Sequence, residues 1–138
     1  MVRALVCPGQ GAQIIGMGKS LADEYSSARA VFEEVDEALS ENLSSLIWEG
    51  DIEELTLTQN AQPALMAMSL AALRGLESEG FKTENCAFFA GHSLGEYSAL
   101  AMGKAISVSD PQDYFALEGS PCRMQFPLEL GLWPLFWD

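Results

Sequence analysis

Two short apolar runs stand out in the chain, and each leads directly into a glycine-rich turn. Residues 3–7 (RALVC) precede Pro-Gly-Gln-Gly, and residues 86–90 (CAFFA) precede Gly-His-Ser-Leu-Gly. Apolar runs of this length, bounded by turn residues, are typical of strands buried inside a sheet. The pattern therefore predicts two strands. A loop follows the first strand, and a tight turn and a helix over residues 96–102 follow the second.

The region between the two strands has the periodicity of helices. Three helices are predicted first, over residues 26–40 with Ser26 or Ser27 as the cap, 43–48, and 52–55 with Asp51 as the cap. The first of them carries an apolar stripe of Val31, Phe32, Val35 and Leu39. This stripe is expected to face the core.

A longer helix is predicted from Pro63, a residue suited to the first turn of a helix, to Glu79, with Gly80 ending it. Its apolar side chains surround nearly the whole circumference, so the helix is expected to be buried, with Met66 and Met68 filling the core. Strands separated by helices favour an α/β fold, in which helices cover both faces of a parallel sheet.

Residues 91–95 (Gly-His-Ser-Leu-Gly) have the G-x-S-x-G form of a nucleophile elbow, in which a strand enters a tight turn that exposes a serine, here Ser93. Gly91 and Gly95 flank the turn, where strand and helix approach too closely for side chains. A serine nucleophile needs a base. His92 is the only histidine, and it is expected to point away from Ser93 because adjacent side chains diverge in a sharp turn. The alternative is a plain strand-to-helix turn with a capping serine.

The loop after the first strand offers a second part of a site. Gly9 and Gly11 bracket Gln10, so the backbone N–H of Gln10 could approach a ligand closely. An oxyanion hole needs such a donor, and the N–H of Leu94, directly after the serine, would supply the other. A phosphate-binding loop is the weaker interpretation, because Ile14 occupies the place of the third glycine and no G-K-[ST] ending follows.

Together these segments resemble the malonyl-CoA:acyl carrier protein transacylases of fatty acid synthesis. The resemblance covers residues 1 to about 110 and rests on residues 7–13 (CPGQGAQ), 15–18 (IGMG), 58–65 (TQNAQPAL) and 91–100 (GHSLGEYSAL). It implies the N-terminal half of an α/β-hydrolase-like acyltransferase core. It also implies that Ser93 carries a malonyl ester and that Gln10 and Leu94 form the oxyanion hole. Malonyl-CoA would be the substrate, acyl carrier protein the partner, and no metal or redox cofactor would be needed.

Family members are longer than this chain. Beyond the part that resembles it, they carry an arginine that pairs with the malonyl carboxylate, a histidine that activates the serine, a supporting glutamine and a ferredoxin-like subdomain, which is expected to be absent here. Arg123 lies in roughly the region of that arginine, but its surroundings do not match, so it is not assigned.

The resemblance stops near Pro111. Residues 111–138 contain four of the six prolines and two of the three tryptophans, Trp133 and Trp137. Such a proline density forbids the long helix that the family has there. We therefore expect a partial acyltransferase domain over residues 1–110 and a divergent tail over residues 111–138. A frameshift or an early end of the reading frame is the preferred explanation, and a real tail that docks its aromatic side chains is the alternative.

The chain is strongly acidic, with a net charge of −13, and one region is responsible. Residues 23–54 contain eleven carboxylates opposed only by Arg29. This charge argues against nucleic acid and anionic membranes as partners, and solvated helix faces explain it best. No apolar run reaches the length of a membrane span and no signal segment begins the chain. Three cysteines without metal-ligand spacing indicate a reducing, cytoplasmic location.

The sequence thus predicts transfer of a malonyl group from malonyl-CoA to acyl carrier protein through Ser93, with little or no activity in the chain as given. An acyltransferase domain of a polyketide synthase is the nearest alternative. A further alternative is a non-catalytic remnant, which the absence of a second histidine favours. An esterase of the α/β-hydrolase type would also need a further histidine.

Overall fold

Two parallel strands form the sheet of the structure, a computed structural model that describes residues 2–106. The elements in chain order are β1 (Arg3–Cys7), α1 (Lys19–Glu24), α2 (Ser26–Leu39), α3 (Leu43–Glu49), α4 (Ile52–Thr56), α5 (Thr58–Ser78), a 3-10 turn (Thr83–Asn85), β2 (Cys86–Gly91) and α6 (Gly95–Met102). The two predicted strands, their parallel direction and the α/β class are confirmed.

The register of the two strands brings their carboxyl ends to the same edge. Ala4 lies opposite Phe88 and Cys7 lies opposite Gly91, after a shift of register between Arg3 and Ala4. Since both strands run in the same direction, the turn after each strand leaves the sheet on the same side. The glycine-rich loop and the G-x-S-x-G turn are therefore neighbours in space.

Helices cover one face of this sheet among the described residues. Leu5, Cys7 and Phe89 face the buried cluster, whereas Val6 is 74% exposed and Phe88 is 63% exposed. These two side chains alternate with the buried ones, as the period of a strand requires. Among residues 2–106, no helix packs against the Val6–Phe88 face, so coverage of both faces stays a prediction.

The core is built around α5, which packs against α2, α6, α4 and α1. Leu65, Leu70 and Leu73 are buried on α5, and Phe32 on α2 packs edge-on against Trp48 with ring centroids 5.2 Å apart. The predicted burial of this helix is confirmed for most of its length. Met66 is buried and Met68 packs against the buried cluster, but Leu76 at the far end is 48% exposed.

The predicted start of α5 is wrong, because the helix begins at Thr58 and Pro63 lies inside it. Pro63 has no N–H to donate to the carbonyl of Gln59, which is a cost in a helix interior. The first turn is fixed instead by bonds from the N–H groups of Asn60 and Ala61 to the carbonyl of Leu57. Pro63 is itself buried, so packing compensates for the hydrogen bond that its ring removes.

The serine cap predicted for α2 is also wrong. The N-cap is Tyr25, and no side chain caps the helix. Ser27 Oγ donates instead to the carbonyl of Arg74, at 3.2 Å, and so joins the start of α2 to α5. The Asp51 cap of α4 is confirmed, because its carboxylate accepts from the N–H groups of Glu53 and Glu54 at 2.7 and 3.3 Å.

Helix α1 was not predicted from the sequence, and a glycine positions its start. Gly18 has a φ of 75°, and a side chain there would meet the Phe32 ring at 2.6 Å. Only glycine permits both the left-handed backbone and this approach. Among residues 2–106, no helix combines the length and apolar character needed to cross a membrane.

The acidic region lies at the surface. Ten of the eleven carboxylates between residues 23 and 54 are exposed, and Asp36 is the exception. The Asp36 carboxylate accepts from the N–H of Ser44 at 2.8 Å and from its hydroxyl at 2.6 Å, which attaches α3 to α2. The exposed ion pairs Lys19–Glu49 and Arg29–Asp23 contribute little to stability because water screens them.

Replacing Glu33, Glu34 and Glu37 together by lysine should leave the fold intact. All three are exposed, and such surface substitutions change the free energy of unfolding by less than about 0.5 kcal/mol each. Asp36→Ala is the matched contrast and should cost about 2–3 kcal/mol, because two hydrogen bonds to a charged group are lost. Urea denaturation followed by circular dichroism measures both. A triple variant less stable than Asp36→Ala would contradict this account of the acidic surface.

Candidate active site

Ser93 occupies a strained turn between β2 and α6. Its φ is 54°, in the left-handed region, and the residue is exposed. Hydrogen bonds from Gly95 N to His92 O, at 2.9 Å, and from Glu96 N to Ser93 O, at 3.0 Å, close the turn. Non-glycine residues held in this conformation cost of order 1–3 kcal/mol and cluster at functional sites. The predicted succession of strand, turn and helix is present.

The two glycines of the turn are required by close backbone contacts. A side-chain carbon on Gly91 would lie 1.9 Å from the carbonyl carbon of Gly95. One on Gly95 would lie 2.4 Å from the carbonyl oxygen of Cys7. The first and last glycines of G-x-S-x-G therefore let α6 start directly against the ends of both strands.

The loop after β1 touches this turn. A side-chain carbon on Gly9 would lie 2.6 Å from the carbonyl oxygen of His92 and 3.0 Å from its Nδ1. The N–H of His92 also donates to the carbonyl of Cys7, at 3.3 Å. The structure thus brings the loop that carries Gln10 against the turn that carries Ser93. No hydrogen bond among residues 2–106 joins the His92 ring to Ser93.

Backbone donors are available on both sides of this contact. In the loop, the N–H of Gly11 donates to Gln13 Oε1 at 2.8 Å, and the N–H of Ala12 donates to the carbonyl of Gly9 at 3.4 Å. The N–H groups of Gln10 and Leu94 have no hydrogen-bond partner within the described part of the chain. An unpaired N–H is unusual at a buried residue such as Leu94, which is 2% exposed, whereas Gln10 is exposed and its N–H is open to solvent.

Cys7 lies beneath the site and is not a competing nucleophile. It is 2% exposed, with its sulfur 3.5 Å from that of Met102 on α6. Burial raises the pKa of the Cys7 thiol, although a hydrogen bond with Ser69 lowers it by less. A neutral buried thiol is unreactive, so Cys7 acts as a packing residue that joins the end of β1 to α6 and α5.

A carboxylate that the sequence did not single out holds the start of β2 in place. Thr83 donates to Glu77 at 2.5 Å and so ties the end of α5 to the segment entering β2. Arg74, also on α5, donates to the same carboxylate at 2.9 Å. Burial alone would raise the pKa of Glu77, but the hydrogen bonds from Thr83 and Arg74 hold it below its ordinary value. Glu77 is therefore expected to be ionised in the folded protein.

An open apolar cleft of about 400 Å³ lies elsewhere, between α1 and α5. Leu21, Tyr25, Met68 and Leu76 are among its lining residues, and none of the lining residues belongs to the turn or to the loop at residues 8–13. Among residues 2–106, no group of three or more histidine, cysteine or carboxylate side chains is arranged to hold a metal ion.

Residues 4–118 of the chain match the family model described as the acyl transferase domain. A malonyl CoA-acyl carrier protein transacylase of Bacillus subtilis (strain 168) is 53% identical over 107 residues, which are 78% of this chain and 33% of that relative. The chain thus spans about one third of the length of this curated relative. The match reaches beyond residue 110, and the predicted domain boundary, the tail and Arg123 lie outside the described residues.

Two solved structures are similar to the described fold. An acyl-carrier-protein S-malonyltransferase of Bartonella henselae has a TM-score of 0.79 and 52% identity, covering 85% of this chain and 37% of that chain. A malonyl-transacylase in complex with a type II PKS acyl carrier protein has a TM-score of 0.77 and 38% identity, covering 86% and 37%. Both identities are high enough that this chain is similar to these two proteins in sequence as well as in fold.

Gly95→Ala should destabilise the protein strongly, because its new methyl group would lie 2.4 Å from a backbone oxygen. Overpacking of this kind costs about 1–3 kcal/mol, and a rigid backbone neighbour favours the upper end. Gly103→Ala is the control. Its φ is −77° and the nearest atom would be 3.4 Å away, so it should be neutral or slightly stabilising. Equal urea midpoints for the two variants would refute the tight contact between α6 and β1.

Proposed function

Because the chain belongs to the acyl transferase domain family, we propose that it carries the nucleophile part of a malonyltransferase. The reaction is transfer of a malonyl group from malonyl-CoA to acyl carrier protein in fatty acid biosynthesis. One observation carries the proposal. An exposed serine stands in a strained turn, its neighbour His92 contacts the loop after β1, and one backbone donor in each segment is unpaired among residues 2–106. A serine nucleophile and backbone donors for an oxyanion are two of the parts that acyl transfer through a serine requires, and a base is the third.

In the proposed reaction, Ser93 Oγ attacks the thioester carbonyl of malonyl-CoA and loses its proton to a base. The N–H groups of Gln10 and Leu94 donate to the oxyanion that develops on the carbonyl oxygen. Collapse of the tetrahedral intermediate breaks the carbon–sulfur bond, and the thiolate of CoA leaves with the proton from the base. The thiol of the carrier protein's phosphopantetheine arm then attacks the malonyl ester and frees Ser93.

The base belongs to a part of the protein outside residues 2–106 in this proposal. His92 is the only histidine of the sequence, and its ring lies beside Gly9 rather than in a hydrogen bond with Ser93. A histidine from the remaining length that the relatives possess would complete the pair. His92 is assigned to the turn itself, where its backbone joins β1 to α6.

The cation that would pair with the malonyl carboxylate is also assigned to that remaining length. Most of the described basic side chains have other partners. Arg29 pairs with Asp23, Arg74 with Glu77, Lys19 with Glu49, and Arg3 stacks on Phe81. Coenzyme A and acyl carrier protein are anionic, and the surface of residues 23–54 is acidic. Their docking surface is therefore expected away from α2, α3 and α4.

Two relatives support the choice of partner. One is named as a malonyl CoA-acyl carrier protein transacylase, and another was solved with an acyl carrier protein of a type II PKS. The second makes polyketide synthesis the alternative setting for the same chemistry. A non-catalytic role for the 138 residues alone remains the other candidate, favoured by the single histidine. The cytoplasmic location stays a prediction.

We expect the 138-residue polypeptide to form no malonyl-enzyme within seconds of mixing with labelled malonyl-CoA. Loss of one member of a Ser-His-Asp catalytic triad, such as its base, costs about 10⁴- to 10⁶-fold in turnover. A chimera that adds the remaining C-terminal length of a relative should be labelled rapidly and should pass the label to acyl carrier protein. Mass spectrometry of the labelled peptide identifies the modified residue.

Ser93→Ala in the chimera should abolish the labelling. Ser45→Ala is the matched control, because Ser45 is an exposed serine on α3 and its loss should leave the rate unchanged. Rapid stoichiometric labelling of Ser93 in the 138-residue chain would show that the base has been misjudged. Labelling of the chimera at another residue would overturn the proposed nucleophile.

A further inference from the structure

Gln13 is a buried polar side chain with a hydrogen bond at each end of its amide. The residue is 8% exposed. Its Oε1 accepts from the N–H of Gly11 at 2.8 Å, and its Nε2 donates to Thr56 Oγ1 at 3.4 Å. Gln13 therefore links the loop after β1 to the last turn of α4. Gln13 is neither the proposed nucleophile nor a proposed oxyanion donor, so the proposed function gives it no role so far.

Thr56 determines which way the Gln13 amide points. The Thr56 hydroxyl donates its single proton to the carbonyl of Ile52, at 2.7 Å. A hydroxyl has one donor and two acceptor positions, so towards Gln13 it can act only as an acceptor. Gln13 must then present its NH₂ group to Thr56 and its carbonyl oxygen to Gly11. The orientation follows from the hydrogen-bond network without any assumption about the amide.

This arrangement fixes the loop on both sides of Gln10. Gly11 adopts a φ of 104°, a conformation open to glycine, and its N–H is held by Gln13. Gly9 lies against His92 and accepts from the N–H of Ala12. The amides of Gly11 and Ala12 are thus occupied, whereas that of Gln10 has no partner among residues 2–106.

We propose that Gln13 is a positioning residue that holds the loop so that the Gln10 N–H stays directed to the acyl oxygen on Ser93. The inference rests on the proposed function, because it assumes that Gln10 serves an oxyanion. Gln13 does not touch the substrate. Its effect passes through the Gly11 amide and through the contact with Thr56, which couples the loop to α4.

The structural part is tested on the 138-residue chain by amide hydrogen exchange measured with NMR. The Gly11 amide should exchange about fivefold more slowly in the wild type than in Gln13→Met, since losing a net hydrogen bond of about 1 kcal/mol changes an opening equilibrium by that factor. Gln59→Met is the matched control at an exposed glutamine of α5 and should leave this rate unchanged. A Gly11 amide that exchanges freely in the wild type would overturn the inference.

The catalytic part is tested in the chimera that adds the C-terminal length of a relative. Gln13→Met should lower the rate of malonyl-enzyme formation at saturating malonyl-CoA by about 10- to 100-fold, because a misplaced group costs up to that much. The half-saturating concentration should change by less than about threefold, since the substrate does not contact Gln13. Thr56→Val, which releases one end of the amide, should lower the rate by less.

The outcomes separate this inference from the proposed function. Labelling that persists in Ser93→Ala overturns the proposed function and the role of Gln13 in it. Labelling that depends on Ser93 but proceeds at the wild-type rate in a folded Gln13→Met overturns the inference about Gln13 alone. If circular dichroism shows that Gln13→Met does not fold, Thr56→Val decides, and a wild-type rate in that variant overturns the inference.

Discussion

The parallel pairing of β1 with β2 is the constraint on which the candidate site depends. Cys7 lies opposite Gly91, so both strands end at one level and the turns that follow them meet. The N–H of His92 donates to the carbonyl of Cys7, at 3.3 Å, and so continues the pairing beyond the last strand residue. The absence of side chains on Gly91 and Gly95 then lets α6 begin within contact of both strands. Backbone contacts thereby define much of the position of Ser93.

Much of this arrangement could be predicted from the sequence, because its signals are local. The apolar runs at 3–7 and 86–90 give strands, and the G-x-S-x-G spacing gives the turn and α6. The start of α5 could not be predicted, since Pro63 is a strong local signal that burial and the bonds to Leu57 override. Ser27 is likewise a residue type common at helix N-caps, but its hydroxyl donates to the carbonyl of Arg74 on another helix.

Contacts between distant residues explain what the sequence could not reveal about the site. Gln13 belongs to the segment CPGQGAQ at residues 7–13, but the role proposed for it depends on its contact with Thr56 on another element. The carboxylate of Glu77 becomes part of the β2 support only through Thr83. The sequence itself suggests the oxyanion roles proposed for Gln10 and Leu94, and the structure adds that their N–H groups have no partner among residues 2–106. Family membership, by contrast, follows from the sequence itself.

The left-handed backbone of Ser93 has an evolutionary consequence. At a φ of 54°, a side chain branched at Cβ is strongly disfavoured, because its second substituent meets the backbone. Threonine, although it offers the same hydroxyl, is therefore a poor replacement, whereas cysteine has the unbranched shape of serine. For the nucleophile proposed at Ser93, backbone geometry limits the possible replacements as well as reactivity. A lineage that abandons serine here has cysteine as its accessible route and would need a rebuilt turn to use threonine.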